Sequence, residues 1–227
     1  MSLLEPWLEE HRPDGVPENL RIYREREGGR IAVFSGLTET VKGHFVKIES
    51  LQRMGFERAA AVLEAKLPTR VSVRSGDMGE ILATEYVRER TDFRVPINRL
   101  RYKDDRDTTM RGDDTVGFRR VDGRIQVLKV EAKSRARLSK DVVRDACDAL
   151  KRHSSRPNPS SLAFIAGILR EQDRDEEAEQ VESALERQVA ERDLEHLVFT
   201  LSGNDPVPVL KLHARSTIRR SLVGIRI

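Results

Sequence analysis

Glu131 and Lys133 stand two residues apart in "IQVLKVEAKSRAR", residues 125–137, a run that reads as an apolar strand until they interrupt it. Side chains on a strand alternate with period two, so both project to one side. Such a pair has two readings. It is an ion pair closing the end of a strand, or it is part of a site where the carboxylate takes a hard cation and the amine meets an anion. The same tripeptide at Glu64–Lys66 ends a helix-patterned stretch, where positions i and i+2 share no face. The letters alone therefore decide nothing.

What bears on the choice is the element that carries them. "TVGFRRVDGRIQVLKVEAK" is two extended runs joined by Asp122-Gly123, a dipeptide favoured in two-residue hairpin turns because both central residues need positive φ. With those two as the turn, Val121 pairs with Arg124, and counting outward sets Asp114 opposite Glu131. Facing residues of an antiparallel pair have Cβ atoms about 5 Å apart, and like charges there destabilise. A divalent ion such as Mg²⁺, which prefers one or two carboxylates plus water and phosphate oxygens, would remove that cost.

A third carboxylate lies upstream in "SGDMGEI". Asp77 as N-cap with Glu80 three residues on resembles a capping box. Gly79 beside it, however, costs about 1 kcal/mol relative to alanine inside a helix and signals a close approach. Glu80 thus stands between cap and site, and can serve as both. Basic residues flank this end of the hairpin: Arg99, Arg101, Lys103 and Arg111 on one side, Arg135, Arg137, Lys140 and Arg144 on the other. They suit phosphate contacts that read no sequence, or form a solvated face. Asp104, Asp105 and Asp107 weaken the case for the loop.

The elements that must position these groups fit in one sizeable core of 227 residues. With 38% hydrophobic and 35% charged residues, the chain is a folded domain with a heavily charged surface. Its 41 basic and 38 acidic residues make net charge a weak pointer to a polyanion. Cys147 is alone, which excludes an intramolecular disulfide, and five scattered histidines show no zinc-ligand spacing. The acidic start "MSLLEPWLEEHRP" is no secretory signal and no stretch reaches membrane-spanning length, so a cytoplasmic protein without membrane contact is expected.

Along the chain, "LRIYREREGGRIAVFSG" suggests a hairpin around Gly28 and Gly29, followed by a helix from about Phe45 to Lys66. "SGDMGEILATEYVRER" reads as a helix, "DFRVPINRL" as a strand and "SKDVVRDACDALKRH" as an amphipathic helix with Ser139 as N-cap and Ala146, Cys147 and Leu150 in its buried stripe. "SSLAFIAGIL" reads as a short buried strand, about Arg174 to Asp193 as a charged helix, and "HLVFTL", "VLKLHA" and "LVGIRI" as final strands. The expected class is α/β, a mixed central sheet flanked by helices.

Glu80 on a helix, Gly112-x-Asp114, then Glu131-x-Lys133 on the next strand resembles the PD-(D/E)xK nuclease superfamily, with a core of helix, three strands, helix and strand. Asp113 stands where the superfamily's name has proline, and the register favours Asp114 as the ligand. More narrowly, "GDMGEILATEYV" through "MRGDDTVGF" to "LKVEAKS" resembles HamA, the nuclease family of the Hachiman anti-phage defence system. The resemblance implies a restriction-endonuclease-like domain over residues 71–227, with residues 1–70 as an N-terminal α/β extension that could dock a partner. It implies an Mg²⁺- or Mn²⁺-dependent deoxyribonuclease in which Asp114, Glu131, the Ala132 carbonyl and Glu80 serve the metal. Lys133 then orients water or stabilises charge on the phosphate. DNA is the implied substrate and a HamB-like helicase subunit the implied partner. The alternative is a nuclease fold without activity that binds nucleic acid or assembles a larger complex.

Overall fold

The computed structural model describes residues 2–186, 189–214 and 220–227. It opens with a short helix α1 (Leu4–Trp7) and strands β1 (Leu8–Glu10) and β2 (Leu20–Glu25). The expected hairpin at Gly28-Gly29 is instead a helix start. Gly28 sits in the left-handed region at φ 69° as the N-cap of α2 (Gly29–Phe45). A Cβ on Gly29 would lie 2.6 Å from the Trp7 carbonyl oxygen, so the glycines admit a helix turned hard against α1. The helix expected over 45–66 is two, α3 (Ile48–Met54) and α4 (Phe56–Lys66), broken at Gly55 with φ 75°.

Helix α5 (Val71–Arg90) follows. The strand expected over 92–100 shrinks to one bridge, Arg94 to Phe118, before Pro96, whose missing N–H cannot extend a ladder. A 3-10 turn over Arg99–Tyr102 leads to the hairpin. Strands β3 (Thr115–Val121) and β4 (Arg124–Arg135) pair with Val121 opposite Arg124 and Thr115 opposite Val130. Both turn residues have positive φ, 49° at Asp122 and 75° at Gly123, the conformation a two-residue turn of this kind demands.

Helix α6 (Lys140–Lys151) takes Ser139 as N-cap, its side chain accepting from the Val142 N–H, and buries Ala146, Cys147 and Leu150. "SSLAFIAGIL" is not a strand but the body of helix α7 (Pro159–Glu171), with Asn158 as N-cap and Pro159 in the first turn. Its buried Leu162, Ile165, Ala166 and Leu169 follow helical spacing. Helix α8 (Asp175–Glu186) begins the charged helix as expected; residues 187 and 188 of that stretch lie outside the described residues, and Glu191–Asp193 is a 3-10 turn. After β5 (Leu194–Ser202), "VLKLHA" lies in helix α9 (Val207–His213) rather than a strand. Prolines at 206 and 208 suit a helix's first turn and not a ladder. Strand β6 (Arg220–Arg226) comes last.

The six strands form one mixed sheet in the order β1-β2-β6-β5-β4-β3. The four inner strands run parallel and the edges β1 and β3 antiparallel. One face packs α5 and the N-terminal residues, joining Leu4, Trp7, Leu82, Tyr86, Val87 and Phe199. The other packs α6 and α9 through Val143, Leu150, Val198, Leu210 and Leu222. Helices α7 and α8 close a third apolar cluster against Val127 and Leu194. No described helix is long and apolar enough to cross a membrane.

Helix α5 crosses β4 at Gly79, where a Cβ would come within 3.0 Å of the Ser134 Cβ; at Gly76 nothing lies within 4 Å. Thermal unfolding should therefore separate the two glycines. Gly76→Ala is expected to raise the midpoint, helix propensity contributing up to about 1 kcal/mol. Gly79→Val should cost about 1–3 kcal/mol through overpacking, at roughly 2–4 °C per kcal/mol for a chain of this length. Shifts of the same sign would contradict this packing.

Candidate active site

At the open end of the hairpin, β4 runs on past β3. Thr115 opposite Val130 is the last ladder pair with β3, while β4 continues beside β5 to Arg135. Asp114, next in register opposite Glu131, supplies what the missing strand would have: its Oδ2 accepts the Ala132 N–H at 2.8 Å. Period-two alternation puts Lys133 on the side of Glu131, and its Nζ pairs with Glu131 Oε1. Glu80 arrives from α5 because Gly79 lets the helix meet Ser134 closely. One turn on, Thr84 and Thr115 share a buried hydrogen bond of 2.8 Å that ties α5 to the start of β3. Glu80, Asp114 and Lys133 thus line one cleft between α5 and the open end of the hairpin, with Glu131 beside Asp114 and paired to Lys133.

Asp113 does different work. Its Oδ2 accepts the Asn158 N–H at 2.6 Å, its own N–H donates to Ser161 Oγ at 3.0 Å, and Lys129 Nζ lies 3.5 Å from Oδ1. It fixes the start of α7 and leaves Asp114 to face the cleft. Lys129, which the sequence reading overlooked, is 2% exposed and donates to the carbonyls of Arg152 and Arg156. Between them His153, Ser154 and Ser155 all take positive φ, from 55° to 66°. Lys129 shares the period of Glu131 and Lys133, so alternation could have found it.

The capping-box reading of Asp77 fails because α5 begins six residues earlier, at Val71. Asp77 lies in its second turn, paired with buried Lys103 at 2.8 Å. The cap comes from Asp107, whose carboxylate accepts the N–H groups of Thr69 and Arg70 at 2.7 and 2.9 Å. No local sequence signal marks a cap donated from that far along the chain.

Burial dominates the electrostatics. It pushes Glu131 up to about 7, with Asp114 adding to the shift and Lys133 opposing it. It raises Asp114, against the Ala132 N–H and Lys133. It raises Glu80 well above the usual carboxylate range, against Arg99. Arg99 Nε lies 3.2 Å from Glu80 Oε1, but off the hydrogen-bonding direction, and that buried oxygen has no hydrogen-bond partner. The carboxylates are short of positive charge. Hard oxygen donors of this kind suit Mg²⁺, which needs only one or two carboxylates and keeps several waters. Among the described residues, no group of three or more His, Cys, Asp or Glu side chains is arranged to hold a metal ion.

An open cleft fronts these groups, walled by Ser72, Ser75 and Gly76 of α5, Met110, and Lys133 and Arg135 of β4. Of the basic residues expected to flank it, Arg111, Arg135, Arg137, Lys140 and Arg144 are exposed, Arg144 pairing with Asp141. Three are drawn inward instead. Lys103 is buried on Asp77, Arg101 donates to the Gly43 carbonyl, and Arg99 donates to the Asp113 carbonyl and faces Glu80. Their side chains tie the 99–113 loop to the core, and a buried charge requires such partners. Arg70 and Arg74, exposed at the start of α5, went unremarked in the sequence.

A family model described as HamA matches residues 4–225. Among curated proteins, the Hachiman protein HamA of Bacillus cereus is 29% identical over 157 residues, covering 69% of this chain and 55% of that protein. This chain thus spans little more than half the length of the curated relative it matches.

The charge shortage predicts a pH signature in the metal-free protein. Glu131 titrates near 7 folded against an ordinary 4.5, so its charged form costs stability at pH 8. That cost lifts as pH falls through 7 and is gone near 4.5. Glu131→Gln should therefore melt above wild type at pH 8, with the gap closing across that window. Burial lowers His44 and costs both proteins stability below about pH 6.5, which cancels in the comparison. A gap independent of pH in EDTA would show that Glu131 is not held against its charge.

Proposed function

The chain belongs to the HamA family, and from that premise we propose that it is an Mg²⁺-dependent deoxyribonuclease of PD-(D/E)xK type, acting as the effector of a Hachiman anti-phage defence complex. One observation carries the reading: Glu80, Asp114 and Lys133 line one open cleft whose rim is basic, Lys133 pairing with the half-buried Glu131 beside it. A surface that only bound nucleic acid would have no need of buried acids beside the phosphates.

Asp114, Glu131 and the Ala132 carbonyl would hold the ion, with Glu80 contributing directly or through water. A bound metal supplies the charge that polarises a phosphate and acidifies a water. The chain's own part is placement. The Ala132 N–H holds Asp114 in position, and Lys133 orients water and meets charge growing on the phosphate oxygens. The exposed Arg111, Arg135, Arg137, Lys140 and Arg144 grip the backbone without reading bases. A helicase subunit is the partner this reading gives the complex, with residues 1–70 as its dock, where Ile31, Phe34 and Phe56 are exposed.

The second reading, a nuclease fold that binds without cutting, draws on one feature: Lys133 already pairs with Glu131, and Arg99 lies against Glu80. Incubation with linear DNA, circular DNA and RNA, in Mg²⁺ and in EDTA, separates the two. Cleavage of DNA in Mg²⁺ alone is expected. Asp114→Ala, Glu131→Ala and Lys133→Ala should each lower it by about 10²-fold or more while staying folded, the scale on which preorganised charge acts. Full activity in Glu131→Ala would end the nuclease reading. Binding without cleavage by wild type would favour the second.

In the same DNA, affinity should fall steeply with salt. Charge removal at Arg135 and Arg137 should flatten the log–log slope by about 0.9 per lost phosphate contact on duplex. An unchanged slope would make these arginines solvated surface only.

A further inference from the structure

Behind the carboxylates lies a second cavity of about 490 Å³, within the roughly 300–1,000 Å³ of sites that enclose small ligands. Glu80 and Asp114 line both it and the cleft, so the two spaces meet at the reacting groups. The cavity's character is otherwise unlike the cleft's. Pro96, Ile97 and Met110 line it from the 95–112 segment, and Phe164 and Ile165 from α7. Tyr102 and Phe164 stand edge to face, 5.6 Å between ring centroids at 84°. Tyr102 is fixed by a 2.9 Å hydrogen bond from Gln172 Nε2 to its hydroxyl. Both rings are only partly buried, and exposed Arg111 and Ser160 also line the wall.

We propose that this cavity receives the unpaired base of the nucleotide next to the scissile phosphate, so that the favoured substrate is single-stranded or frayed DNA. The proposal rests on the nuclease reading of the adjoining carboxylates. A nucleotide is a flat apolar ring attached to a charged phosphate. The structure offers a carboxylate-lined cleft joined, through the shared Glu80, Met110 and Asp114, to an apolar aromatic-walled space. A base inside a duplex cannot enter without losing its stacking and pairing, at a cost of a few kcal/mol. A single strand has its ring faces free, and stacking on aromatic side chains is tolerant of sequence.

The test reads base capture apart from cleavage. A single-stranded oligonucleotide carrying 2-aminopurine is titrated with the 227-residue protein in EDTA, beside a blunt duplex with the same label. Quenching of the label on the single strand, and none on the duplex, is expected. Tyr102→Ala should weaken single-strand affinity about tenfold, within the range measured for one stacked base. Because Tyr102 packs against Phe164, a second variant guards against misfolding: Ser160→Phe, at an exposed position, fills the space and should abolish quenching. An unquenched label, or equal quenching in Ser160→Phe, overturns the proposal. The same oligonucleotides in Mg²⁺ separate it from its premise. Cleavage without quenching keeps the nuclease and removes the base cavity. Quenching without cleavage keeps the cavity and removes the nuclease.

Discussion

A slip of one residue between β3 and β4 would turn Glu131 and Lys133 to the opposite face of the sheet, because side chains alternate with period two. The turn at Asp122-Gly123, with positive φ at both residues, forbids the slip by fixing Val121 opposite Arg124. From that register follows the position of Asp114, and from Asp114 the end of the ladder, since its carboxylate takes the Ala132 N–H that another strand residue would have taken. The site is in this sense the place where a strand stops and a side chain completes its hydrogen bonding. The overhang of β4 that results is held from the other side alone, by β5.

Around this overhang the chain spends most of its buried polarity on placement. Lys129 spans the two ends of the left-handed His153–Ser155 turn and lies beside Asp113. Asp113 anchors the start of α7, Lys103 fixes the loop to α5 through Asp77, and Asp107 caps α5. These groups are satisfied, as buried polar atoms must be. At the centre, Asp114 accepts the Ala132 N–H and Glu131 pairs with Lys133, but one Glu80 oxygen has no hydrogen-bond partner, and burial raises all three carboxylates above their ordinary titration range.

Much of this was legible in the sequence because the signals were local. The Asp-Gly turn gave the hairpin and its register, and alternation gave the convergence of Asp114, Glu131 and Lys133. Ser139 marked the start of α6, and the mixed sheet followed from one hairpin among helices. The failures were of two physical kinds. "SSLAFIAGIL" and "VLKLHA" are short apolar runs in which strand and helix periods overlap; the flanking Asn158-Pro159 and the prolines at 206 and 208 were the better guides to α7 and α9. The second kind is long-range. That Arg99, Arg101 and Lys103 turn inward depends on Gly43, Asp77, Glu80 and Asp113, contacts that no window of sequence contains. Gly79 lay between: its presence announced a close approach, but only the fold shows that Ser134 is what approaches.

The parallel pairing of β2 with β6 joins Leu20 to Leu222, roughly two hundred residues apart along the chain. Closing so long a loop is entropically costly before any contact is made, and pairings of this separation slow folding. The stretch from α5 to β5, by contrast, holds the hairpin and Glu80, Asp114, Glu131 and Lys133 within roughly 132 residues of chain. During synthesis β2, paired on its outer side with β1, waits for β6 to cover its inner edge. The two local pairings at the edges of the sheet, β1 with β2 and β3 with β4, can therefore form before the seam between β2 and β6.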